Sequence, residues 1–276
     1  MNNILFITLD SLRWDVFLRA DAPNLKALGE WKRAWTQGTF TLPAHMAFFV
    51  GKLPQTLDDT DFYDHTAKRR DREHRETFNR ELWRLNNPER AINHRAKTLL
   101  EGSNIIDGFR KLGYRAYGTG AVNWFNPALP AGRLMTGWFN DFRFFDDTGF
   151  SPLNSAPAQI EWIMNTVDRH EKSLLTRNRP FFSFINFGET HHRYTYRGCD
   201  WMNDREPYGD HDACMYRQMK CLEYLDGLLP ELLDRSRACD LVVCSDHGDA
   251  MGEDGLWGHG FFHEKVMEVP FLIRQC

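Results

Sequence analysis

Residues 244–260 read CSDHGDAMGEDGLWGHG, and this stretch constrains the fold and the chemistry of the chain more than any other. The apolar run 241–244 predicts a buried strand that brings Asp246 and His247 to its carboxyl end. His259 follows between two glycines, which allow backbone and imidazole to approach a ligand closely. Carboxylate and imidazole groups are ligands that zinc- or manganese-type ions accept in proteins. An Asp-His-Gly tripeptide alone would usually be a turn, but the longer pattern predicts a metal site.

The pattern D-H-G-x3-G-E-x-G-x3-H-G resembles the alkaline phosphatase superfamily, in particular its phosphoethanolamine-transferase and sulfatase-like branches. Two upstream segments match the other motifs of that superfamily. Residues 3–9 (NILFITL) predict a first strand, which Asp10 follows directly. Residues 41–51 (TLPAHMAFFVG) match the sulfatase nucleophile motif in length, with Thr41 in the nucleophile position. The Thr-x-Pro-x-His form is also similar to the nucleotide pyrophosphatase/phosphodiesterase branch, and the motifs together cover essentially the whole chain.

The resemblance implies that Thr41 is the catalytic nucleophile. Pro43 suits the first turn of a helix, whose free N–H groups would hold a phosphoryl oxygen near the Thr41 hydroxyl. This hydroxyl needs activation at neutral pH, and a bound divalent ion supplies it. We therefore expect one ion, Zn²⁺ or Mn²⁺, held by Asp10, Thr41, Asp246 and His247. The alternative for Thr41 is a helix N-cap, which a threonine before a proline often is.

A second pair of histidines is expected near the first site. The apolar strand 180–187 precedes a Gly-Glu-Thr-His-His segment, and the resemblance assigns a substrate- or metal-binding role to His191. We expect His191 beside His259, where the two contact phosphoryl oxygens or form a second metal site. Glu189 is predicted to support a histidine by a hydrogen bond or to form a salt bridge. His263 is a weaker candidate.

Departures from the sulfatase pattern indicate the reaction class. Sulfatases convert a cysteine or serine into formylglycine, a change that Thr41 cannot undergo. They carry an arginine four residues after the nucleophile, where this chain has His45, and a Gly-Lys-x-His segment where it has 120–123 (GAVN). These positions hold the sulfate group in sulfatases, so the differences favour phosphoester chemistry. His45 and Asn123 become candidate substrate-binding residues.

Alternating strand and helix patterns predict an α/β fold, a doubly wound, mostly parallel sheet sandwiched by helices. We expect a single alkaline phosphatase-like domain over residues 1–276 with a charged helical insertion at about 55–100. Strands are predicted near 3–9, 114–119, 180–187, 240–245 and 269–273. Helices are predicted near 23–34, 43–51, 103–112, 156–170 and 212–234. The aromatic segment 123–153 is predicted to be a loop.

Composition limits the partners and the location of the chain. Its 276 residues carry a net charge of −4, which offers no argument for a nucleic-acid partner. No apolar run has the length of a membrane span, and the amino terminus shows no basic and apolar signal. The six cysteines show no metal-binding spacing. We expect a cytoplasmic protein with a small soluble phosphoester substrate.

Residues 67–97 carry ten Lys and Arg against five Asp and Glu. This charge pattern is typical of a solvated helical hairpin with many salt bridges. The alternative is a lid or docking surface whose arginines contact an anionic substrate or a protein partner.

The sequence therefore favours a metal-dependent phosphoester hydrolase or phosphoryl-group transferase that acts through a covalent phosphothreonine. Which acceptor resolves that intermediate stays open. The alternatives are a sulfatase-like protein that acts on sulfate esters, and a non-catalytic relative that keeps the metal site as a binding module.

Overall fold

The computed structural model describes residues 1–51, 104–145, 155–202 and 209–276. Its main sheet contains β1 (Asn3–Leu9), β2 (Lys32–Trp35), β3 (Arg115–Gly120), β4 (Asp141–Phe144), β5 (Phe181–Phe187), β6 (Cys239–Ser245) and β9 (Glu268–Arg274). The strand order is β2-β9-β6-β1-β5-β3-β4. Strand β9 is antiparallel to β2 and to β6, and all other neighbouring pairs in this sheet are parallel. A separate hairpin pairs β7 (Ala250–Met251) with β8 (Trp257–Gly258). The predicted mostly parallel sheet is confirmed.

The helices in the described residues are α1 (Trp14–Arg19), α2 (Pro23–Lys26), α3 (Thr41–Val50), α4 (Ile105–Lys111), α5 (Pro130–Thr136), α6 (Ser155–Lys172), α7 (His211–Leu228), α8 (Pro230–Arg235) and α9 (Glu264–Met267). None of these helices is long and apolar enough to cross a membrane. All six cysteines are free thiols, and five of them are buried.

Helices cover both faces of the sheet, as a doubly wound fold requires. Because side chains alternate along a strand, successive residues of β5 face opposite sides. Phe181, Ile185 and Phe187 belong to the core cluster that includes residues of α1, α6 and α7. Phe182 and Phe184 belong to the second cluster, with residues of α3, α4 and α5. The sheet is thus buried on both faces.

Three sequence-based assignments were wrong. The helix predicted at 23–34 ends at Lys26, and the chain turns at Gly29, whose φ is +150°, into β2, which pairs with β9. The segment 123–153, predicted to be a loop, contains α5 and β4. The helix predicted at 212–234 is divided at Pro230, which cannot donate the hydrogen bond that a continuous helix needs.

Part of the predicted organisation lies outside the described residues. Residues 52–103 are not among the described residues. The charged helical insertion at about 55–100 and the roles considered for residues 67–97 therefore stay predictions. The single-domain assignment stays a prediction for the same reason.

We expect Phe184→Ala to destabilise the fold by about 3–5 kcal/mol, because the missing ring leaves a cavity in the core. The Phe184 ring is fully buried and lies 5.2 Å from the Phe49 ring and 5.6 Å from the Phe6 ring. Urea unfolding of both forms measures the difference. Leu175→Ala is the control, since Leu175 is 85% exposed and surface changes stay within about 0.5 kcal/mol. A loss below about 1 kcal/mol for Phe184→Ala would contradict this assignment of the core.

Candidate active site

The candidate residues converge at the carboxyl edge of β1, β5 and β6. In the sheet register, Leu9 of β1 is paired with Phe187 of β5 and with Ser245 of β6. Asp10 and Asp246 directly follow these strand ends, although they are far apart in the chain. The amino end of α3 closes the group, so the site occupies the place where open α/β sheets bind ligands.

Thr41 is the first residue of α3, with its hydroxyl directed at the metal-ligand candidates. Its Oγ1 lies 3.4 Å from Asp10 Oδ2 and 3.4 Å from His247 Nε2. The N-cap position belongs to Phe40, which makes no side-chain cap, so the N-cap interpretation of Thr41 was wrong. A Cβ added to Gly38 would lie 2.3 Å from the Ala44 nitrogen, so Gly38 lets the preceding loop pack on the first turn of α3.

The two oxygens of the Asp246 carboxylate differ in hydrogen bonding: one accepts hydrogen bonds and the other has no partner. Its Oδ1 accepts from the backbone N–H groups of His247, at 2.9 Å, and Ser11, at 3.0 Å. The Ser11 backbone has φ of +62°, a left-handed conformation that a serine adopts only under constraint. Asp246 Oδ2 is buried and has no hydrogen-bond partner. An unpaired buried carboxylate oxygen is costly unless a cation lies next to it.

The His247 ring is oriented for the same position. Its Nδ1 lies 2.9 Å from the Gly248 carbonyl, and since a carbonyl only accepts, Nδ1 carries the proton and Nε2 is free to bind a metal. Ligand atoms of Asp10, Asp246 and His247 all lie within 4.8 Å of one another. With the Thr41 hydroxyl they form a buried mixed oxygen and nitrogen set, which fits a divalent ion.

The electrostatics of the cluster also fit a cation. Burial and the neighbouring Asp246 charge raise the pKa of Asp10 to about 7, and burial raises the pKa of Asp246 to about 7. Burial and the nearby His259 lower the pKa of His247 to about 4. Two buried carboxylates thus repel each other while the imidazole stays neutral. A divalent ion would offset this repulsion and replace the protons.

Metal binding should weaken markedly below neutral pH. Because the pKa values of Asp10 and Asp246 are raised to about 7, protons compete with the ion below that pH, whereas ordinary aspartates would compete only near pH 4. We expect the apparent Kd for Zn²⁺ or Mn²⁺ to increase from about pH 7.5 to pH 6, by roughly ten-fold if one carboxyl group must lose a proton and by roughly 70-fold if both must. Calorimetric titration in buffers of different ionisation enthalpy measures both affinity and proton release. An affinity that is flat over this interval would contradict the prediction.

A second polar group lies beside the first. The His259 Nδ1 is 2.5 Å from Asp249 Oδ1, and Tyr194 donates its hydroxyl to Asp249 Oδ2 at 2.9 Å. The His259 ring lies 4.4 Å from the His247 ring and 5.2 Å from the His191 ring. The structure therefore places His191 next to His259, as expected from the sequence.

This second group is less suited to a metal than the first. His247, Asp249 and His259 have ligand atoms within 4.8 Å, but both Asp249 oxygens already accept hydrogen bonds. Burial acts against charge on His259, yet the Asp249 carboxylate raises its pKa. Asp249 thus orients His259 and leaves its Nε2 available. His259 is 21% exposed, whereas Thr41 is fully buried, so a substrate would enter beside His259.

The environments of His45, Glu189 and His263 differ from our expectation, whereas the substrate-binding role of Asn123 stays a prediction. Both ring nitrogens of the buried His45 bond to protein atoms, the Thr41 carbonyl and the Thr8 hydroxyl, which does not favour the predicted contact with substrate. Asn123 begins a short turn, Asn123–Phe125, after β3. Glu189 supports no histidine within the described residues; its Oε1 accepts from Ser155 and from the Ala156 backbone at the start of α6. His263 caps α9.

Sequence reasoning missed the residues that shape the loops around the site. Arg13 is buried and pairs with Asp15 and Glu253, each at 2.7 Å, and it donates to the Asp249 carbonyl. Glu253, the glutamate of the 244–260 pattern, thus forms a salt bridge with Arg13. Gln218 of α7 donates to the backbone carbonyls of Ser11 and Thr190. A single buried arginine or glutamine in a sequence gives no signal for such roles.

Comparison with known proteins supports the fold. No family model matches the chain. A choline-sulfatase from Rhizobium meliloti (strain 1021) is 22% identical over 98% of this chain. The chain spans 62% of the length of that relative.

Solved structures show the same architecture. The periplasmic domain of EcEptC from Escherichia coli in complex with zinc aligns with a TM-score of 0.64 at 12% identity, over 99% of this chain and 72% of that one. The corresponding domain of a phosphoethanolamine transferase from Campylobacter jejuni has a TM-score of 0.61 at 13% identity, over 99% and 78%. An alkaline phosphatase superfamily protein from Vibrio parahaemolyticus aligns with a TM-score of 0.57 at 15% identity, over 99% of this chain and 60% of that one.

Proposed function

We propose that this chain, which has the fold of the alkaline phosphatase superfamily, is a metal-dependent phosphoester hydrolase or phosphoryl-group transferase with Thr41 as its nucleophile. One observation carries the proposal. The Thr41 hydroxyl stands at the start of α3, 3.4 Å from both Asp10 and His247, whose ligand atoms converge with those of Asp246. A hydroxyl beside a candidate metal site and at a helix end that attracts anions supports the role of nucleophile for Thr41.

The reaction would proceed in two displacements. The Thr41 hydroxyl would give up its proton to solvent, and its oxygen would bond to phosphorus as the bond to the leaving alcohol breaks. The leaving oxygen would take up a proton from solvent. Backbone N–H groups in the first turn of α3 would hold the phosphoryl oxygens. A divalent ion held by Asp10, Thr41, Asp246 and His247 would act as a Lewis acid that favours the deprotonated hydroxyl. Water or an acceptor alcohol then releases the phosphoryl group from Thr41.

We propose Zn²⁺ or Mn²⁺ as the ion. The ligand candidates combine carboxylate, hydroxyl and imidazole groups, a mixture that suits these ions better than Ca²⁺. The zinc complex of the Escherichia coli domain supports zinc for a related fold.

Sulfate-ester chemistry is the second candidate, because the curated relative is a choline-sulfatase. Thr41 argues against it, since a threonine cannot become the formylglycine on which sulfatases depend. The name of the Campylobacter jejuni protein, a phosphoethanolamine transferase, supports phosphoester chemistry instead.

The remaining expectations from the sequence stay predictions. These are the cytoplasmic location, a small soluble phosphoester substrate and the absence of a nucleic-acid partner. A protein partner that binds through residues 67–97 belongs with them, because that segment lies outside the described residues.

Turnover of three p-nitrophenyl compounds by the metal-loaded chain tests the proposal. We expect release of p-nitrophenol from bis-p-nitrophenyl phosphate or from the monoester, and no release from p-nitrophenyl sulfate. Preferential cleavage of the sulfate would overturn the proposal in favour of sulfatase chemistry. Metal binding with no turnover of any ester, including added alcohol acceptors, would favour the non-catalytic alternative.

A further inference from the structure

His45 makes a defined pair of hydrogen bonds below the nucleophile. Its Nδ1 lies 2.7 Å from the Thr41 backbone carbonyl, and its Nε2 lies 3.2 Å from Thr8 Oγ1. A carbonyl oxygen can only accept, so Nδ1 carries the proton. In the neutral ring Nε2 is then an acceptor. The Thr8 hydroxyl can donate to Nε2 at 3.2 Å or to the Ile185 carbonyl at 3.4 Å, and Nε2 is the closer of the two. Burial lowers the pKa of His45 to about 3, in keeping with a neutral ring.

The hydrogen bonds continue from Thr8 to a candidate metal ligand. Thr8 of β1 and Asn186 of β5 are paired in the sheet register, on the face that α3 covers. Asn186 donates through Nδ2 to Thr8 Oγ1 at 3.0 Å and lies 3.4 Å from Asp10 Oδ2. A continuous path therefore runs from Asp10 through Asn186, Thr8 and His45 to the Thr41 carbonyl.

Among the described residues, aromatic rings and hydrogen-bond partners surround the His45 side chain. The side chain has no solvent exposure. Phe125 contacts the imidazole with its ring edge-on at 5.0 Å, and Phe48 and Phe184 lie at 5.5 and 5.7 Å. Both ring nitrogens face protein atoms, and Nδ1 also lies 3.5 Å from Asp246 Oδ2. An arginine at this position could not replace the histidine, since a guanidinium cannot accept a hydrogen bond from Thr8.

We propose that His45 is a positioning residue that fixes the first turn of α3 and, through Thr8 and Asn186, aligns the Thr41 hydroxyl with Asp10. The kinetic part of this inference rests on the proposed function. Its structural part concerns the tautomer and hydrogen bonds of His45, and these are measurable without substrate.

Kinetics distinguish positioning from substrate binding. In His45→Ala we expect kcat to fall about 100-fold, the loss typical of a reacting group misplaced by about 1 Å, while KM changes little because His45 does not touch substrate. His45→Asn keeps an N–H donor near the Nδ1 position but has no acceptor for Thr8, so it should recover part of the lost kcat and not all of it. A raised KM with unchanged kcat, or an asparagine variant as slow as the alanine variant, would overturn the proposal.

His170 supplies a matched control. It is also buried, with its Nε2 2.8 Å from the Arg179 carbonyl and its Nδ1 2.9 Å from the Tyr117 hydroxyl. It therefore makes the same types of hydrogen bond as His45, outside the candidate site. His170→Ala should reduce stability without reducing kcat of the folded enzyme. An equal fall in kcat for both alanine variants would show that His45 acts only through stability and would overturn the proposal.

Nitrogen-15 NMR of the metal-free wild-type chain tests the hydrogen bonds directly. We expect His45 in the Nδ1–H tautomer and His170 in the Nε2–H tautomer, as their carbonyl partners require. Thr8→Val should shift the Nε2 resonance of His45, and Tyr117→Phe should shift the Nδ1 resonance of His170. The opposite tautomer of His45, or no response of its Nε2 resonance to Thr8→Val, would overturn the proposal. If the wild-type chain cleaved no ester, the proposed function would fail, yet this measurement would still decide the hydrogen bonding of His45.

Discussion

Replacing Thr41 by valine should reduce turnover of every cleaved ester to the level of the metal-loaded blank, a loss of roughly 10⁴-fold or more. Valine keeps the shape of threonine and removes the hydroxyl, which lies 3.4 Å from both Asp10 and His247. The covalent step then has no nucleophile, while the helix start and the core stay in place. Initial rates with p-nitrophenyl esters measure the effect.

Two further variants at Thr41 serve as controls. Thr41→Ser keeps a hydroxyl and should retain measurable turnover. Thr41→Val and Thr41→Ala should stay folded, because losing one buried hydroxyl changes stability by about 1 kcal/mol. If the folded, metal-loaded valine variant kept most of the wild-type rate, the mechanism proposed for Thr41 would be wrong.

Asp246→Asn should remove both metal binding and activity. One Asp246 oxygen accepts backbone N–H groups, and the other is buried without a hydrogen-bond partner and faces the Asp10–His247 cluster. Replacing a residue that hydrogen-bonds to a metal ligand typically lowers metal affinity by about 10–100-fold. Losing a ligand itself should therefore lower metal affinity by roughly 100-fold or more. Calorimetric titration with Zn²⁺ and with Mn²⁺ measures this loss.

Asp254→Asn is the matched control, because Asp254 is 84% exposed and lies in the neighbouring turn. It should bind metal and turn over substrate like the wild type. Exhaustive chelation of the wild-type chain should reproduce the inactivity of Asp246→Asn, and added metal should restore only the wild type. Full activity in excess chelator would contradict a metal-dependent mechanism.

The central strands and the position of the site could be predicted from the sequence because their signals are local. The run NILFITL followed by Asp10, and the apolar residues before Asp246, identify buried strands with polar residues at their ends. Parallel pairing then brings these ends to one edge. The edge strands β2 and β4 escaped prediction because each is short and is defined by its pairing with β9 or β3, which no local pattern reports.

The roles of single polar residues were harder to infer. His45 matched a substrate-binding position by motif, but only its burial against Phe125 and its bonds to Thr8 and the Thr41 carbonyl show how it is used. The sequence did contain one indication of this hydrogen-bonded network: Thr8 and Asn186 are polar residues near the ends of otherwise apolar strands. Nothing in the sequence showed that these two strands are neighbours.

Acid quenching of the reaction followed by peptide mass spectrometry tests the central claim most directly. The metal-loaded enzyme is mixed with bis-p-nitrophenyl phosphate and with the monoester, and each reaction is stopped during the first turnover. We predict a phosphoryl or p-nitrophenylphosphoryl adduct on Thr41, formed and lost at rates that account for turnover, and absent from Thr41→Val. Turnover with no adduct on Thr41 at any time, or an adduct on another residue, would contradict the account.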